Sequence, residues 1–395
     1  MDSGLPTEKK ASARLPTFPQ ATASPFGKNS ESHKLAGIRP IQNKESAFRF
    51  RNVLVIGGLD FLGAAIVHEL NSTGFQEITL TCDLDDSTCR KIAPLKFREF
   101  LSREEYEDAA KSRFRPFSDY SHIFYLEGWA DGKLGAAKSL YSATSRTAAR
   151  FIAISSAASL GPRQNCPIGE RHIPENFRPA TREGLLAGLF DRHACAKSPG
   201  KGFLSLKHHQ MFGPGEPEDG GIRGLIKSCH RQKHAGGHIH LPAAIAPDSP
   251  EGCRLFDFAP VQEVAKIAVF LAQSHLSEGV YEIGSGRSCT PVELVNAALS
   301  AMDGKREILW DPALPFTPPA PQPEKACLSR LAEAGWEDPG LDLEQAVRSY
   351  VTSYLNPAIE LGDEPRSPNP PSEPKAPPSQ VLIPQRKKLK PSPDA

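Results

Sequence analysis

A glycine-rich turn, Gly57-Gly58-Leu59-Asp60-Phe61-Leu62-Gly63, has the residue types and spacing that point most directly to chemistry. Such a turn joins a strand to a helix and brings backbone N–H groups and the positive end of the helix dipole to a pyrophosphate. Asp83, about 20 residues past the last glycine, is placed to bind a ribose hydroxyl. The predicted cofactor contacts are therefore Gly57, Gly58, Phe61, Leu62, Gly63 and Asp83.

Asp60 stands where a dinucleotide turn has its second glycine, the one that lets the backbone approach the pyrophosphate. We expect its carboxylate to cap the following helix and to repel the pyrophosphate. Two interpretations stay open: a working site for NAD or NADP, and a turn that has kept its fold and lost its ligand.

The elements around this turn follow a β-α-β pattern. Val53 to Ile56 is a short apolar run typical of a buried parallel strand, and Phe61 to Leu70 has apolar residues at helical spacing. Further predicted strands are 122–126, 150–155, 202–206, 238–241 and 279–284, with helical stretches between them. This alternation predicts an α/β fold, a Rossmann-type doubly wound parallel sheet with a smaller C-terminal substrate lobe.

Composition excludes several classes of function. The chain has 395 residues, with 47 basic and 46 acidic side chains and a net charge of +1, so no global field favours nucleic acid or an anionic membrane. No apolar run approaches the roughly 20 residues of a membrane span. The eight cysteines include no CxxC pair, which fits a reducing cytoplasm.

Both ends of the chain differ in composition from its middle. Proline makes up 37 of the 395 residues, a share well above the usual value of about 5%, and it is concentrated toward the C-terminus. We expect disordered tails at 1–47 and 357–395. Between them we expect a dinucleotide-type lobe at 48–206 and a substrate-type lobe at 207–356, with some segments returning to the first lobe. The basic run at 386–390 is interpreted as solvated tail.

Several segments resemble extended short-chain dehydrogenase/reductases of the epimerase/dehydratase type, and more narrowly ADP-glycero-manno-heptose 6-epimerases. The opening β-α-β unit, the serine-bearing strand end FIAISSAASLGP and the MFGPGE turn carry the likeness. GVYEIGSGRSCTPVELVNAALSA and LSRLAEAGW in the C-terminal half are the more specific matches. The resemblance covers residues from about 52 to 356.

This resemblance implies a tightly held NADP or NAD that takes a hydride from a nucleotide sugar and returns it to the opposite face. Ser156 occupies the position of the family's catalytic hydroxyl. Gln210, which replaces the family's asparagine, and Arg254 are expected to contact the nucleotide sugar, an ADP-heptose type of ligand. The family's chemistry also needs a tyrosine and a lysine four residues apart on one helix.

No tyrosine of this chain is followed by a lysine four positions later. Aligning PENFRPATREGLLAGLFDRHACAK with the catalytic helix puts Ala180 at the tyrosine position and Gly184 at the lysine position. Neither side chain can transfer a proton. In addition, Glu127 adds a negative charge where the family has a neutral residue beside the dinucleotide.

The sequence therefore predicts a protein of the nucleotide-sugar epimerase class that has lost catalysis and acts as a binder or regulator. The alternative is an active NADP-dependent epimerase with substitute proton-transfer groups, such as Lys197 or Lys201. A third hypothesis is an interaction module whose tails bind an unknown protein. A homo-oligomer is compatible with each.

Two other groups of residues could do chemistry. His230, His234, His238 and His240 have spacings that pair imidazoles on one face, yet glycines separate the pairs and no further ligand is obvious, so we predict no metal site. Cys166 near His172 could form a thiol and base pair. Neighbours in sequence seldom form such pairs in space, and a loop cysteine is the preferred interpretation.

Overall fold

The structure is a computed structural model that describes residues 49–111, 117–129, 133–161, 179–197, 202–217, 221–275, 278–302, 307–340 and 342–363. The predicted N-terminal tail, the basic run, Cys166, His172 and Lys201 lie outside the described residues. Within the described part of the chain, no helix has the length and apolar character needed to cross a membrane.

Seven parallel strands form the central sheet, in the order β10-β6-β5-β4-β1-β2-β3. The order reverses between β1 and β4, so the predicted doubly wound parallel sheet is confirmed. The described strands are β1 (Val53–Ile56), β2 (Ile78–Thr81), β3 (Glu99–Leu101), β4 (His122–Tyr125), β5 (Arg150–Ser156), β6 (Leu204–His208), β7 (Gln210–Phe212), β8 (Ile239–Pro242), β9 (Phe258–Pro260), β10 (Gly279–Ile283) and β11 (Ile308–Asp311).

Helices cover both faces of this sheet. Val53 and Val55 of β1 point into one apolar core and Leu54 and Ile56 into the other, as alternation along a buried strand requires. The described helices are α1 (Leu62–Ser72), α2 (Asp86–Ile92), α3 (Arg103–Lys111), α4 (Lys133–Thr144), α5 (Arg182–Lys197), α6 (Leu225–Ala235), α7 (Val261–Gln273), α8 (Pro291–Ala301), α9 (Ser329–Glu333) and α10 (Leu343–Tyr350). Helix α1 packs against α7 on the first face, and α4 packs against α5 on the second.

A third apolar cluster lies apart from the sheet and is built from α6, α8, α10 and the short strands β8 and β11. Strand β8 pairs only with β11 among the described strands, so the predicted strand at 238–241 exists but does not join the main sheet. Helix α8 begins with a capping box, in which Thr290 and Glu293 each accept a hydrogen bond from the other's backbone N–H.

The predicted start of the C-terminal tail at Pro357 is too early. Leu361 has only 3% of its surface exposed and belongs to the core on the α1 side of the sheet. Gly362 follows with a φ of +87° and lies close to the carbonyl of Pro94. The sequence did not predict the burial of Leu361, because a single leucine in a proline-rich, polar segment shows no apolar periodicity.

Candidate functional site

The glycine-rich turn between β1 and α1 has the shape expected of a dinucleotide turn. Gly57 and Gly58 have φ values of +74° and +64°, and a Cβ atom at Gly57 would lie 2.9 Å from Cα of Glu127. A Cβ at Gly63 would lie 2.7 Å from the carbonyl oxygen of Gly58. These glycines are needed for the packing of strand, turn and helix, whether or not a ligand binds.

The other predicted cofactor residues lie around this turn. Phe61 and Leu62 are buried at the start of α1. Asp83 follows the end of β2, with 81% of its side chain exposed. All six predicted cofactor residues are therefore found at the carboxyl end of β1 and β2, the edge at which this class of sheet binds ligands.

Asp60 does not form the predicted cap. Helix α1 begins without a side-chain cap at Phe61, and the carboxylate of Asp60 is exposed. Its backbone carbonyl accepts a hydrogen bond of 2.7 Å from Nζ of Lys91, which also donates to the carbonyl of Gly215 at 3.0 Å. Lys91 thus ties the turn to the loop after β7.

The carboxyl end of β4 adds a second carboxylate beside the turn. Glu127 is largely buried, with 11% of its side chain exposed, and forms ion pairs with Arg103 and Lys133. Tyr125 donates to it at 3.4 Å, and burial together with this charge raises the pKa of the Tyr125 phenol. The turn fits a dinucleotide in shape, but Glu127 is already paired with Arg103 and Lys133, and Asp60 adds an exposed carboxylate at the turn. The residues present do not fit the cofactor while these internal ion pairs are made.

A cavity of about 530 Å³ lies beyond the ends of β5 and β6. Its walls come from the strand end at Ser155 and Ser156, from the first turns of α5, from the segment that joins β6 to β7, and from residues 317–322. Nine serine, threonine, glutamine and histidine residues belong to the lining, beside apolar residues such as Phe61, Met211 and Ile222. This lining suits a ligand rich in hydroxyl groups.

Ser156, the predicted catalytic hydroxyl, lies in this cavity at the end of β5. It also caps the short 3-10 helix Ala157–Leu160, since its Oγ accepts a hydrogen bond of 3.1 Å from the N–H of Ala158. A hydroxyl that accepts in this way can still donate its own proton to a ligand.

Ala180 and Gly184 do not form the helical pair that the sequence alignment implied. Ala180 precedes α5, which begins at Arg182, so the two residues do not share a helix face. Gly184 does line the cavity, but a Cβ there would lie 3.1 Å from Cα of Ser159. The backbone of the 3-10 helix thus leaves no room for a longer side chain at 184 without a shift.

The positions of α5 that line the cavity one helical turn apart are Glu183 and Ala187. Gly184 lies between these two residues and also lines the cavity, whereas the buried residues Ala187, Phe190 and Ala194 mark the face of α5 that meets the sheet. A carboxylate and a methyl group therefore stand one turn apart beside the cavity.

Below the cavity lies a buried ion pair that sequence reasoning missed. Nζ of Lys207 lies 2.6 Å from the carboxylate of Asp191 and donates to Oγ of Ser155 at 2.8 Å. Ser205 donates to Asp191 at 2.8 Å. Both charged side chains are almost fully buried, so this network joins β5, β6 and α5 beneath the cavity floor.

The two predicted substrate contacts have different positions. Gln210 lines the cavity and donates to Gln322 at 3.3 Å. Arg254 instead donates to the carbonyls of Pro319 at 3.0 Å and Ala320 at 3.1 Å, which belong to the cavity wall. Arg254 therefore holds the wall in place.

The hydrogen bonds of two cavity histidines, His208 and His209, show which ring nitrogen carries a proton. Burial lowers the pKa of His208 to about 4, and its Nδ1 lies 2.9 Å from the carbonyl of His209. Because a carbonyl only accepts, the proton of the neutral ring is on Nδ1 and Nε2 is a free base. His209 donates through Nε2 to Glu282 at 3.0 Å.

Four buried polar atoms of the cavity lining have no hydrogen-bond partner among the described residues. They are Nε1 of Trp129, Oγ of Ser159, Nδ1 of His209 and Nε2 of Gln322. Each such atom costs about 1–3 kcal/mol of stability in a folded protein. These atoms are buried behind the cavity surface, so a ligand hydroxyl reaches them only if the lining shifts.

The remaining candidates lie elsewhere. Lys197, proposed as a substitute proton-transfer group, donates to Ser142 of α4 at 2.5 Å, at the opposite end of α5 from Glu183. The rings of His230 and His234 are in contact at a tilt of 55°, with centroids 4.3 Å apart, and His230 contacts Asn356 at 3.0 Å. Among the described residues no group of three potential ligands is positioned to bind a metal ion.

Comparison with known proteins gives consistent results. No family model matches the chain. Proteins named ADP-L-glycero-D-manno-heptose-6-epimerase from Nitratidesulfovibrio vulgaris and Fusobacterium nucleatum are 26% and 22% identical to it. These alignments span 76% and 77% of this chain, and 97% and 98% of the relatives.

Solved structures with the same fold include a UDP-N-acetylglucosamine 4-epimerase from Methanobrevibacter ruminantium in complex with UDP-N-acetylmuramic acid. Its TM-score is 0.60, and it is 21% identical to this chain; the match covers 78% of this chain and 99% of that one. A dTDP-glucose 4,6-dehydratase from Bacillus anthracis in complex with NAD has a TM-score of 0.59 and 17% identity over 77% and 96%. A Thermus thermophilus UDP-glucose 4-epimerase in complex with NAD has a TM-score of 0.56 and 19% identity over 78% and 100%.

Two of these structures, the dehydratase and the Thermus thermophilus epimerase, contain NAD. The resemblance predicted from the sequence segments is confirmed. Over most of its length the chain is similar to proteins named ADP-L-glycero-D-manno-heptose-6-epimerase, and it has the fold of these solved epimerase and dehydratase structures.

Proposed function

We propose that this protein binds a nucleotide sugar of the ADP-heptose type in the cavity at the end of β5 and does not carry out tyrosine-dependent hydride transfer. The observation that supports binding is the polar part of the cavity lining, which includes Ser156, His208 and Gln210. The observation that supports loss of hydride transfer is that no tyrosine in the sequence is followed by a lysine four positions later.

The proposed binding uses neutral groups. Ser156 and Ser159 would donate to sugar hydroxyls, and Gln322 would donate through its free amide N–H. His208 offers a neutral Nε2 as an acceptor. Because these groups belong to four different segments, their positions are fixed by tertiary packing, which favours one orientation of the sugar.

A second candidate function is an active epimerase that uses substitute groups. Glu183 favours it, since a carboxylate beside the cavity could accept a proton in place of a phenolate. It would also require a bound dinucleotide, which Asp60 and Glu127 disfavour.

One experiment separates these functions. The full-length protein is purified and denatured to release any bound dinucleotide, and separate samples are titrated with ADP-sugars, NAD and NADP while the melting temperature is followed. We expect stabilisation by an ADP-sugar, with no copurified dinucleotide and no sugar turnover. Stoichiometric NADP together with turnover would establish the second candidate and overturn the first.

Variants make this experiment specific for the cavity. Ser159→Ala and Gln322→Leu each remove one group that would bind the sugar, so we expect roughly tenfold weaker ADP-sugar affinity from each. Ser139→Ala, on the exposed face of α4, is the matched control and should leave affinity unchanged. Equal affinity of the wild type and both cavity variants would contradict binding in this cavity.

A further inference from the structure

The crevice at which this class of sheet binds its dinucleotide lies at the carboxyl ends of β1 and β4, where the strand order reverses. Two carboxylates flank it in this protein. Glu127 follows β4 on one side of β1, and Asp83 follows β2 on the other. A group that bridges these carboxylates must pass over the end of β1.

Arg103 is such a group. It is the first residue of α3, whose start is fixed by reciprocal hydrogen bonds between Ser102 and Glu105. Its guanidinium forms an ion pair with Glu127 and lies 4.0 Å from the carboxylate of Asp83. Lys133 binds the same oxygen of Glu127 from the start of α4.

The glycine turn is closed from its other side by Lys91. Its ammonium group joins the carbonyl of Asp60 to that of Gly215, and a Cβ at Gly215 would lie 3.4 Å from the Asp60 carbonyl. Lys91 is therefore held by backbone oxygens. Lys91 of α2 and Arg103 of α3, two cations beside the crevice, thus have internal partners in this structure.

We propose that the dinucleotide crevice is filled by an internal strap, the Arg103–Glu127 ion pair with Asp83 and Lys133, which excludes NAD and NADP. The adenosine and pyrophosphate of a dinucleotide would have to break these pairs and then lie against the carboxylates of Glu127 and Asp60. The sugar cavity at the end of β5 does not contain these residues, so this proposal goes beyond the proposed binding function and is independent of it.

The strap differs from the opposite possibility, in which Arg103 is a receptor for the 2′-phosphate of NADP. A receptor arginine would give the wild-type protein a preference for NADP over NAD. If these residues form a strap, neither NADP nor NAD binds until Glu127 is neutralised. Neutralising Glu127 leaves Arg103 and Lys133 as two cations without their shared partner, which attract a pyrophosphate.

The test titrates the full-length wild type and Glu127→Gln with NAD, NADP and ADP-ribose by calorimetry at low ionic strength. We expect no detectable wild-type binding at millimolar ligand and at least tenfold tighter binding by Glu127→Gln. Glu107→Gln is the matched control, because Glu107 pairs with Arg103 at 3.2 Å from within α3 and outside the crevice. It should behave as the wild type does.

Two results would overturn the strap: micromolar binding of NADP by the wild type, or no gain of affinity in a folded Glu127→Gln variant. If Glu127→Gln fails to fold, Asp83→Asn replaces it, because Asp83 belongs to the strap and its exposed side chain contributes little to packing. That variant should tighten binding severalfold, and an unchanged affinity would likewise contradict the proposal. An ADP-sugar titration run in parallel reports on the β5 cavity, so failure of the strap and failure of the proposed function give different results.

Discussion

The dinucleotide crevice and the sugar cavity lie along the same edge of the sheet, yet they differ in how their polar groups are satisfied. In the crevice, Arg103, Lys133 and Lys91 have partners within the chain. In the cavity, buried atoms of Ser159 and Gln322 have none among the described residues. A site whose groups are already paired gains little from a ligand, whereas a site with unpaired buried groups is stabilised by one.

The largest expected effect comes from the ion pair beneath the cavity. Lys207→Ala should lower the free energy of unfolding by about 3–5 kcal/mol, because it leaves Asp191 buried without its partner. Urea denaturation would measure the loss. Lys207→Arg keeps a cation at this position and is the control. A loss below 1 kcal/mol in Lys207→Ala would show that the pair does not support the cavity.

The loop that joins the two sites should make stability depend on pH. Glu216 follows Gly215 and is almost fully buried, where it accepts hydrogen bonds from Lys227 N–H at 3.1 Å and Tyr350 at 3.3 Å. Burial raises its pKa from 4.5 to about 7. Between these values the unfolded chain loses a proton that the folded chain keeps, so stability falls as pH rises from 4.5 to 7.

This difference in pKa corresponds to roughly 3 kcal/mol at most. Glu216→Gln cannot ionise, and its stability should change less over the same pH range. Melting temperatures of both proteins at pH 4.5, 5.5, 6.5 and 7.5 would test this. Parallel curves for the two proteins would mean that Glu216 does not titrate in this range.

The third prediction contrasts the two sites directly. Ser159→Ala removes an unpaired buried hydroxyl and should stabilise the ligand-free protein by about 1 kcal/mol while it weakens ADP-sugar binding. Glu127→Ala removes a paired carboxylate and should destabilise the ligand-free protein. Thermal unfolding shows whether each substitution raises or lowers the stability of the ligand-free protein. A change in the same direction for both variants would contradict the proposed difference between the crevice and the cavity.

The smallest effect is expected at Asp60. Its carboxylate is exposed and screened by solvent, so Asp60→Gly should strengthen dinucleotide binding by less than tenfold, and less at high salt. Calorimetry with ADP-ribose at two salt concentrations would detect this in the Glu127→Gln background, where binding is measurable. A weaker affinity in the double variant than in Glu127→Gln would contradict the repulsion attributed to Asp60.

The placement of the catalytic helix shows a limit of reading the sequence. Ala180 and Gly184 were selected by counting residues; in the structure Ala180 precedes α5, and Gly184 lines the cavity together with Glu183 and Ala187. Segment likeness fixes a helix only to within about a turn. The side-chain direction at the site depends on which face meets the sheet, and that is a tertiary contact.

The sequence also could not predict which charged side chains form ion pairs with each other. Arg103 and Glu127 are far apart in sequence, as are Lys207 and Asp191. Charge spacing predicts pairs only within one helix, where residues three or four apart are neighbours. Arg254 was expected to contact a ligand, and only its position beside residues 319 and 320 shows that it holds the cavity wall.

The sequence by itself determined the parallel sheet, the glycine turn and the absence of a tyrosine–lysine pair, because each depends on local periodicity or on residue identity alone. Only the tertiary structure decided which charges pair across the crevice and which polar atoms of the cavity are buried without partners. Burial and pairing are properties of segments brought together from distant parts of the chain, and no local pattern encodes them.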